Sequence, residues 1–334
     1  MPLKSFFDSL VFENVYIHAT GTVAGLDESK GPIGSYFDMI HQDYYLGNKT
    51  FELAEMQMLE EAVSICLQKL KKSYKDIHLY IGGDLNNQIT TSNYIARKFE
   101  RPFYGIYSAC STIAEALQIG GSLIENKQIE NANIFVSSHH ATAERQFRYP
   151  NEYGVQKKIT STFTATGAVS VYLSSRPSII RVGSITRGRV IDYEQKNAND
   201  MGRCMAPAAF DTLERHLSDL KIDGDYYDLI LTGDLSNYGK QIMIELMASK
   251  NIKYQNYDDC GCILFDHLKQ DVQMGGSGPT CSALVAFGYI YKLMLEKKYQ
   301  KVLFIPTGAL LSPVMVNQKQ SIPCIAHAFS LEVV

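Results

Sequence analysis

SACSTIAEALQIGGSLIENKQIENANIFVSS (108–138) and PTCSALVAFGYIYKLMLEKKYQKVLFIPTG (279–308) are two versions of one pattern. Each begins with Cys-Ser, runs through an apolar helical stretch and turns on polar residues. Each then leaves through a short strand-like run into small residues. Upstream of each lies a second matched pair, IHLYIGGDL (77–85) and LILTGDL (229–235), both strand-like and both ending in Gly-Asp-Leu. Related elements recurring in the same order describe a duplicated fold. The two Cys helices are apolar nearly all round, through Ile113, Ala116, Leu117 and Gly120 in one and Leu284, Val285, Phe287 and Ile290 in the other. Such helices belong between layers rather than on a surface.

Working outward, hydrophobic period divides each half into the same succession. The first half, 1–177, reads as strand 14–25, helix 51–70, strand 77–83, helix 90–99, strand 103–109, the Cys110 helix, and strands 133–138 and 167–174. Leu59, Ala62, Val63, Cys66, Leu67 and Leu70 form one stripe on helix 51–70. The second half, 178–334, reads as strand 179–187, helix 205–220, strand 228–233, helix 239–249, strand 254–258, the Cys281 helix, and strands 301–306 and 324–333. Strands alternating with helices predict parallel sheets covered on both faces. The fold class is α/β, a duplicated βαβαβαββ unit in five layers, α-β-α-β-α.

Composition excludes several functions. A chain of 334 residues is long enough for about two domains. Its 46% hydrophobic and 20% charged content is that of a folded globular protein. The net charge of −3 gives no basic surplus for nucleic acid or anionic lipid. The seven cysteines are irregularly spaced and no secretory segment opens the chain, which reads as reduced thiols in a cytosolic compartment. No run reaches the roughly 18 apolar residues of a membrane span. Cys260, Cys262, Cys281 and His267 lack the usual zinc-knuckle spacing, and no metal or cofactor is expected. Asp84, Asp234, Asp258 and Asp259 follow no calcium-loop pattern and read as backbone hydrogen-bond acceptors. GGSG (275–278) has no Lys-Ser/Thr continuation and reads as a tight turn.

A duplicated unit with a cysteine opening the third helix of the first half resembles the thiolase superfamily, where the matching cysteine accepts the acyl group. ATGTVAGLDESKGPIGSYFD (19–38), ACST (109–112), SSHHATAERQFRYPNEYG (137–154), MAPAAFDTL (205–213) and TGALLSP (307–313) narrow the resemblance to a stage V sporulation family of that superfamily. The resemblance implies binding of dipicolinic acid, as the dianion or as its calcium chelate, and a part in loading it into the developing spore. It also implies a homodimer, membrane partners from the stage V sporulation A operon, and a peripheral position on the cytoplasmic face of the spore inner membrane.

Cys110 stands where unpaired helix N–H groups favour a thiolate, although a free cysteine is as readily an inert buried residue. Acyl transfer also needs a base, which the superfamily supplies from the second half, after its second strand and before its third helix. Those stretches read GDLSNYG (233–239) and GGSGPT (275–280), without a histidine. His139, His140 and His327 are the histidines left to serve Cys110 in a coenzyme A thioester-dependent acyltransferase or condensing enzyme. The incomplete constellation reads instead as a thiolase-shaped binder that has lost the chemistry, with the enzyme as the alternative. For a dipicolinate dianion, Cys110, Ser111 and Thr112 offer helix N–H groups. His139 and His140 lie at the same sheet end, and adjacent strand residues point to opposite faces, so one of the two is expected to face the cavity. The loop AERQFRYPNEYGVQKK (143–158) offers Arg145, Arg148, Lys157 and Lys158 as charge and Phe147, Tyr149 and Tyr153 as walls. That loop serves equally well at a subunit interface.

Overall fold

In the computed structural model, which describes residues 4–334, each half contributes a run of five strands to one continuous sheet. The first half contributes β1 (Tyr16–Ala24), α1 (Phe51–Lys69), β2 (Leu79–Gly83), α2 (Thr90–Ala96), β3 (Phe103–Gly105), α3 (Thr112–Glu125), β4 (Asn131–Ser138), α4 (His140–Phe147) and β5 (Gly167–Ser174). The second contributes β6 (Ile180–Thr186), α5 (Met201–Leu220), β7 (Leu229–Thr232), α6 (Ser236–Ser249), β8 (Tyr257–Asp259), α7, β9 (Lys301–Ile305) and β10 (Ala328–Val333). Helix α7 starts as Pro279–Leu284, passes through a π-helical stretch at Val285–Ile290 and ends as Tyr291–Leu295.

The strand order is β3-β2-β4-β5-β1 in one half and β8-β7-β9-β10-β6 in the other. Both are therefore third, second, fourth, fifth, first, so the duplication seen in the sequence holds at the level of topology. The sheet is mixed rather than parallel. β5 runs antiparallel to β1 and β4, and β10 runs antiparallel to β6 and β9. Helices separate the first four strands of each half, and the fifth returns antiparallel to both of its neighbours, inserted between the first strand and the fourth. The two runs join edge to edge into one continuous sheet, where Ile180 and Arg181 of β6 pair with Ile17 and Tyr16 of β1 and Ser184–Thr186 pair with the short strand Ser9–Val11.

Three apolar cores give the five layers. The central core joins α3 and α7 to the inner faces of both runs of strands, with Ile113, Leu117, Phe287, Phe304 and Phe329 buried in it. The first outer core lies under α1 and α2 and contains Met58, Val63, Leu67, Tyr80 and Phe99. The second lies under α5 and α6 and contains Met205, Leu213, Met243 and Ile305. Phe287 stacks on Phe329 across the central layer, with ring centroids 6.0 Å apart. The all-round apolar character of the two Cys helices is thus explained by strands on both sides.

Several expected boundaries move. Strand 103–109 shortens to Phe103–Gly105 because the chain must rise off the sheet to form the turn before α3. Strand 324–333 breaks at His327: Cys324–Ala326 pairs with Thr307–Ala309 in a separate hairpin, and only Ala328–Val333 enters the sheet. Helix α5 begins at Met201 rather than 205, with the Asp200 side chain accepting the Arg203 N–H at its start. Pro207 leaves that extra turn intact, and the turn carries Met201 into the wall of the site. The segment 143–158 is not all loop, since its first residues complete α4 before Arg148 leaves helical geometry and Pro150 follows.

Candidate functional site

Cys110 sits in a 3-10 turn, Ala109–Ser111, between β3 and α3. Ala109 adopts φ +47°, a left-handed conformation that a Cβ-bearing residue rarely takes. The hydroxyls around it hold this bend. Ser111 Oγ donates to the Ser108 carbonyl and Thr112 Oγ1 to the Ala109 carbonyl, each at 2.7 Å, while the Ser108 N–H donates to Thr112 Oγ1 at 3.1 Å. The Ser111 and Thr112 side chains are therefore committed to the turn and do not line the cavity at Cys110. The hairpin strand Thr307–Ala309 packs directly on this turn, and a Cβ on Gly308 would lie 2.3 Å from the Ser108 carbonyl oxygen. Gly308→Ala is expected to destabilise the fold by about 1–3 kcal/mol, read as a lower denaturant midpoint with an unchanged slope. An unchanged midpoint would show that the contact yields freely.

The cavity at Cys110 is small. Its volume is about 40 Å³, and its walls are Phe147, Met205, Ala309, Leu311, Thr164 and Arg148 among others. That is room for a water or two. From the second half, Asp234 reaches Cys110 out of the stretch after β7, and Ser277 and Gly278 reach it from the turn before α7. The Gly278 N–H donates to Asp234 Oδ2 at 3.1 Å. Gly278 adopts φ +95° and Gly275 φ +126°, which explains the glycines of that turn.

This neighbourhood reverses the expected thiolate. Burial pushes the Cys110 thiol well above its ordinary value, and the Asp234 carboxyl adds to the shift. Burial outweighs the partial charge of a helix start. The Asp234 carboxyl is itself pushed up to about 8 by burial, so at neutral pH it holds a proton. Sequence reasoning placed Asp234 as a backbone acceptor. It is one, and it also faces the sulfur; its matched position after the second strand of the second half was the signal for that. Asp84 and Asp259 do behave as backbone acceptors. Asp84 takes the Asn86 and Ser92 N–H groups, and Asp259 takes those of Leu235, Ser236 and Gly261.

None of the three histidines lines the Cys110 cavity. His139 caps α4, where Nδ1 accepts the Ala141 N–H at 3.1 Å and Nε2 contacts the Tyr44 carbonyl at 2.9 Å. His140 stacks on Phe163 with centroids 3.9 Å apart and accepts a hydrogen bond from Lys157 Nζ at 2.9 Å. The expectation that one of the pair faces the cavity fails because the strand ends at Ser138 and both histidines belong to the helix start. His327 comes nearest. Its Nδ1 accepts the Gly188 N–H at 2.9 Å, which leaves the proton on Nε2, 3.5 Å from Ser108 Oγ. Burial lowers all three, to about 4 for His139, about 3 for His140 and about 4 for His327, so they are neutral at physiological pH.

The basic segment divides. Arg145 pairs with Glu52 of α1 and lines neither the Cys110 cavity nor the larger one beside it, so its expected place at the ligand is corrected. Arg148 lines both. Its Nε donates to the Glu144 carboxylate at 3.0 and 3.1 Å. The larger cavity is about 340 Å³ and is bounded by Arg148, Lys157, Lys158, Glu144, Tyr149 and Pro150. Lys157 also approaches Glu144, at 3.6 Å. Three bases against one acid give this cavity a surplus of positive charge. Sequence reasoning named the cations but missed Glu144, which holds two of them in place.

Among the described residues, no group of three or more His, Cys, Asp or Glu side chains is arranged to hold a metal ion. Cys262 bonds instead to Asn237 Oδ1 at 3.3 Å, and His267 Nδ1 lies 3.2 Å from the Asn237 amide nitrogen. Among the same residues, no helix is long and apolar enough to cross a membrane.

A duplicated five-layer fold with a cysteine in the turn before the first buried helix defines a thiolase-like protein. Solved structures agree on the fold. The chain is similar to 3-oxoacyl-[acyl-carrier-protein] synthase III from Aquifex aeolicus VF5, with a TM-score of 0.60, 14% identity and coverage of 95% of this chain and 99% of that one. It is similar to Xanthomonas campestris OleA with its bound cerulenin, at a TM-score of 0.61, 13% identity and coverage of 96% and 97%. Residues 8–332 match the family profile described as stage V sporulation protein AD (SpoVAD). Over 324 residues the chain is 43% identical to stage V sporulation protein AD of Bacillus subtilis (strain 168), covering 96% of each. The chain belongs to the stage V sporulation protein AD family.

Proposed function

We propose that this sporulation protein binds dipicolinate without transforming it and takes part in its uptake, with calcium, into the developing spore. The observation that carries the reading is the 340 Å³ cavity with Arg148, Lys157 and Lys158 on its wall and Tyr149 and Pro150 beside them. Two carboxylates on a flat ring want cations at two points and an apolar face between them. The 40 Å³ space at Cys110 is too small for such a ring, so the ligand belongs in the outer cavity, with Arg148 as the shared wall.

The absence of catalysis is argued from the thiol. A nucleophilic cysteine needs a thiolate and a base. Cys110 is held protonated, and the residue facing it is a carboxyl that carries its own proton at neutral pH. Membrane partners from the same operon, a homodimer and a peripheral position on the cytoplasmic face of the spore inner membrane complete the proposal. Titration calorimetry with dipicolinate tests the binding, and saturable heat is expected. A silent titration would remove the ligand assignment. Incubation with coenzyme A thioesters is expected to leave Cys110 unacylated; condensed product at an enzymatic rate would restore the condensing-enzyme reading.

A further inference from the structure

Two sulfur atoms that play no part in the Cys110 turn lie in contact behind the cavity wall. Cys204 in the first turns of α5 and Cys324 in the hairpin strand place their Sγ atoms 3.0 Å apart, and both residues are buried. Cys204 Sγ also lies 3.0 Å from the Ile322 carbonyl oxygen, which orients it. Each cysteine neighbours a lining residue of the Cys110 cavity along the backbone. Cys204 directly precedes Met205, and Cys324 is paired across the hairpin with Ala309. The segments that carry these lining residues are far apart in sequence and touch through sulfur.

We propose that Cys204 and Cys324 are a disulfide-forming pair whose bond staples α5 to the hairpin and fixes the width of the Cys110 cavity. A disulfide has its sulfurs about 2.05 Å apart, so closing the bond needs roughly an ångström of approach between side chains already in contact. With a glutathione disulfide as oxidant, one cysteine as thiolate attacks a glutathione sulfur and releases one glutathione thiol. The second cysteine then attacks the mixed disulfide and releases another. Two protein thiols become one disulfide, and the oxidant takes up the two electrons and two protons. The hydrogen bond with Cys204, and burial after it, push the Cys324 thiol up, so the reaction is slow at neutral pH and quickens with alkali. In a reducing compartment the pair stays as thiols. The inference does not depend on which ligand the protein takes.

The test treats the folded full-length chain with oxidised glutathione, and in parallel with the smaller oxidant diamide, across a range of pH. Free thiols are then counted after unfolding. The expected result is five reactive thiols instead of seven, a mass lower by two hydrogens after any mixed disulfide has resolved, and a single cross-linked peptide joining 204 to 324. Cys204→Ser is expected to keep its remaining thiols. Should that variant fold poorly, Cys324→Ala serves, and the wild-type peptide map stands without either. The stapled protein is expected to melt at a higher temperature and to alkylate at Cys110 several-fold more slowly than the reduced protein. Seven thiols persisting at equilibrium with both oxidants, or a bridge to any other cysteine, would overturn the pairing. A 204–324 bridge that moves neither the melting temperature nor Cys110 alkylation would overturn its role as a staple.

Discussion

Replacing Arg148 with alanine is expected to weaken dipicolinate binding on the order of 10- to 100-fold, while Arg145→Ala stays within about two-fold of the wild type. The difference lies in tertiary placement, since both arginines come from one basic segment. Arg148 lines the outer cavity with its guanidinium positioned by Glu144, whereas Arg145 is engaged with Glu52. A charge-assisted hydrogen bond is worth about 1.5–3 kcal/mol, and each 1.4 kcal/mol is about ten-fold in affinity. Glu144 keeps Lys157 as a partner when Arg148 is lost, so the variant is expected to fold. Calorimetry on both variants decides the matter. Equal affinities for Arg148→Ala and the wild type would remove the cavity from the ligand assignment.

Asp234→Asn is expected to change both stability and thiol reactivity, with a sign that depends on pH. The folded protein holds a proton on Asp234 up to about pH 8, whereas an exposed aspartate loses it near 3.8. Between those values the native state binds more protons than the unfolded chain. The wild type therefore loses stability at this site as pH rises from about 4 to 8. Asparagine does not titrate, so the variant gains relative to the wild type across that window, on the order of a few kcal/mol by pH 8. Denaturant melts at pH 5 and pH 8.5 read the difference, and a pH-independent gap would show that Asp234 is ionised in the fold. Removing the carboxyl also removes the second cause of the raised Cys110 thiol and leaves burial, the first. Alkylation of Cys110 by iodoacetamide at pH 8 is accordingly expected to quicken about ten-fold.

Much of the site was legible in the sequence as separate pieces. The Cys110 position and the cations at 145–158 came from order and spacing, and the empty place of a second-half histidine from the resemblance to the thiolase superfamily. The partners of those pieces did not. His139 and His140 read as strand-end residues near the thiol, but Ser138 ends the strand and the next residue becomes a helix cap. Ser111 and Thr112 read as a source of backbone N–H groups, but that their hydroxyls brace the bend at Ala109 was visible only in the fold. Glu144 gave no signal because an acid within a basic run is ordinary, and its work depends on folding Lys157 back over α4.

By itself the sequence determined the repeat, the five layers and the two buried helices. These follow from periodicity and burial, which act along the chain and recur in each half. Tertiary structure alone decided which charges face a cavity, how small the space at the sulfur is, and that burial keeps both Asp234 and Cys110 protonated. It also brought Cys204 against Cys324. Each of these depends on contacts between residues up to two hundred positions apart, where a few ångströms of placement outweigh residue type and no local pattern carries the information.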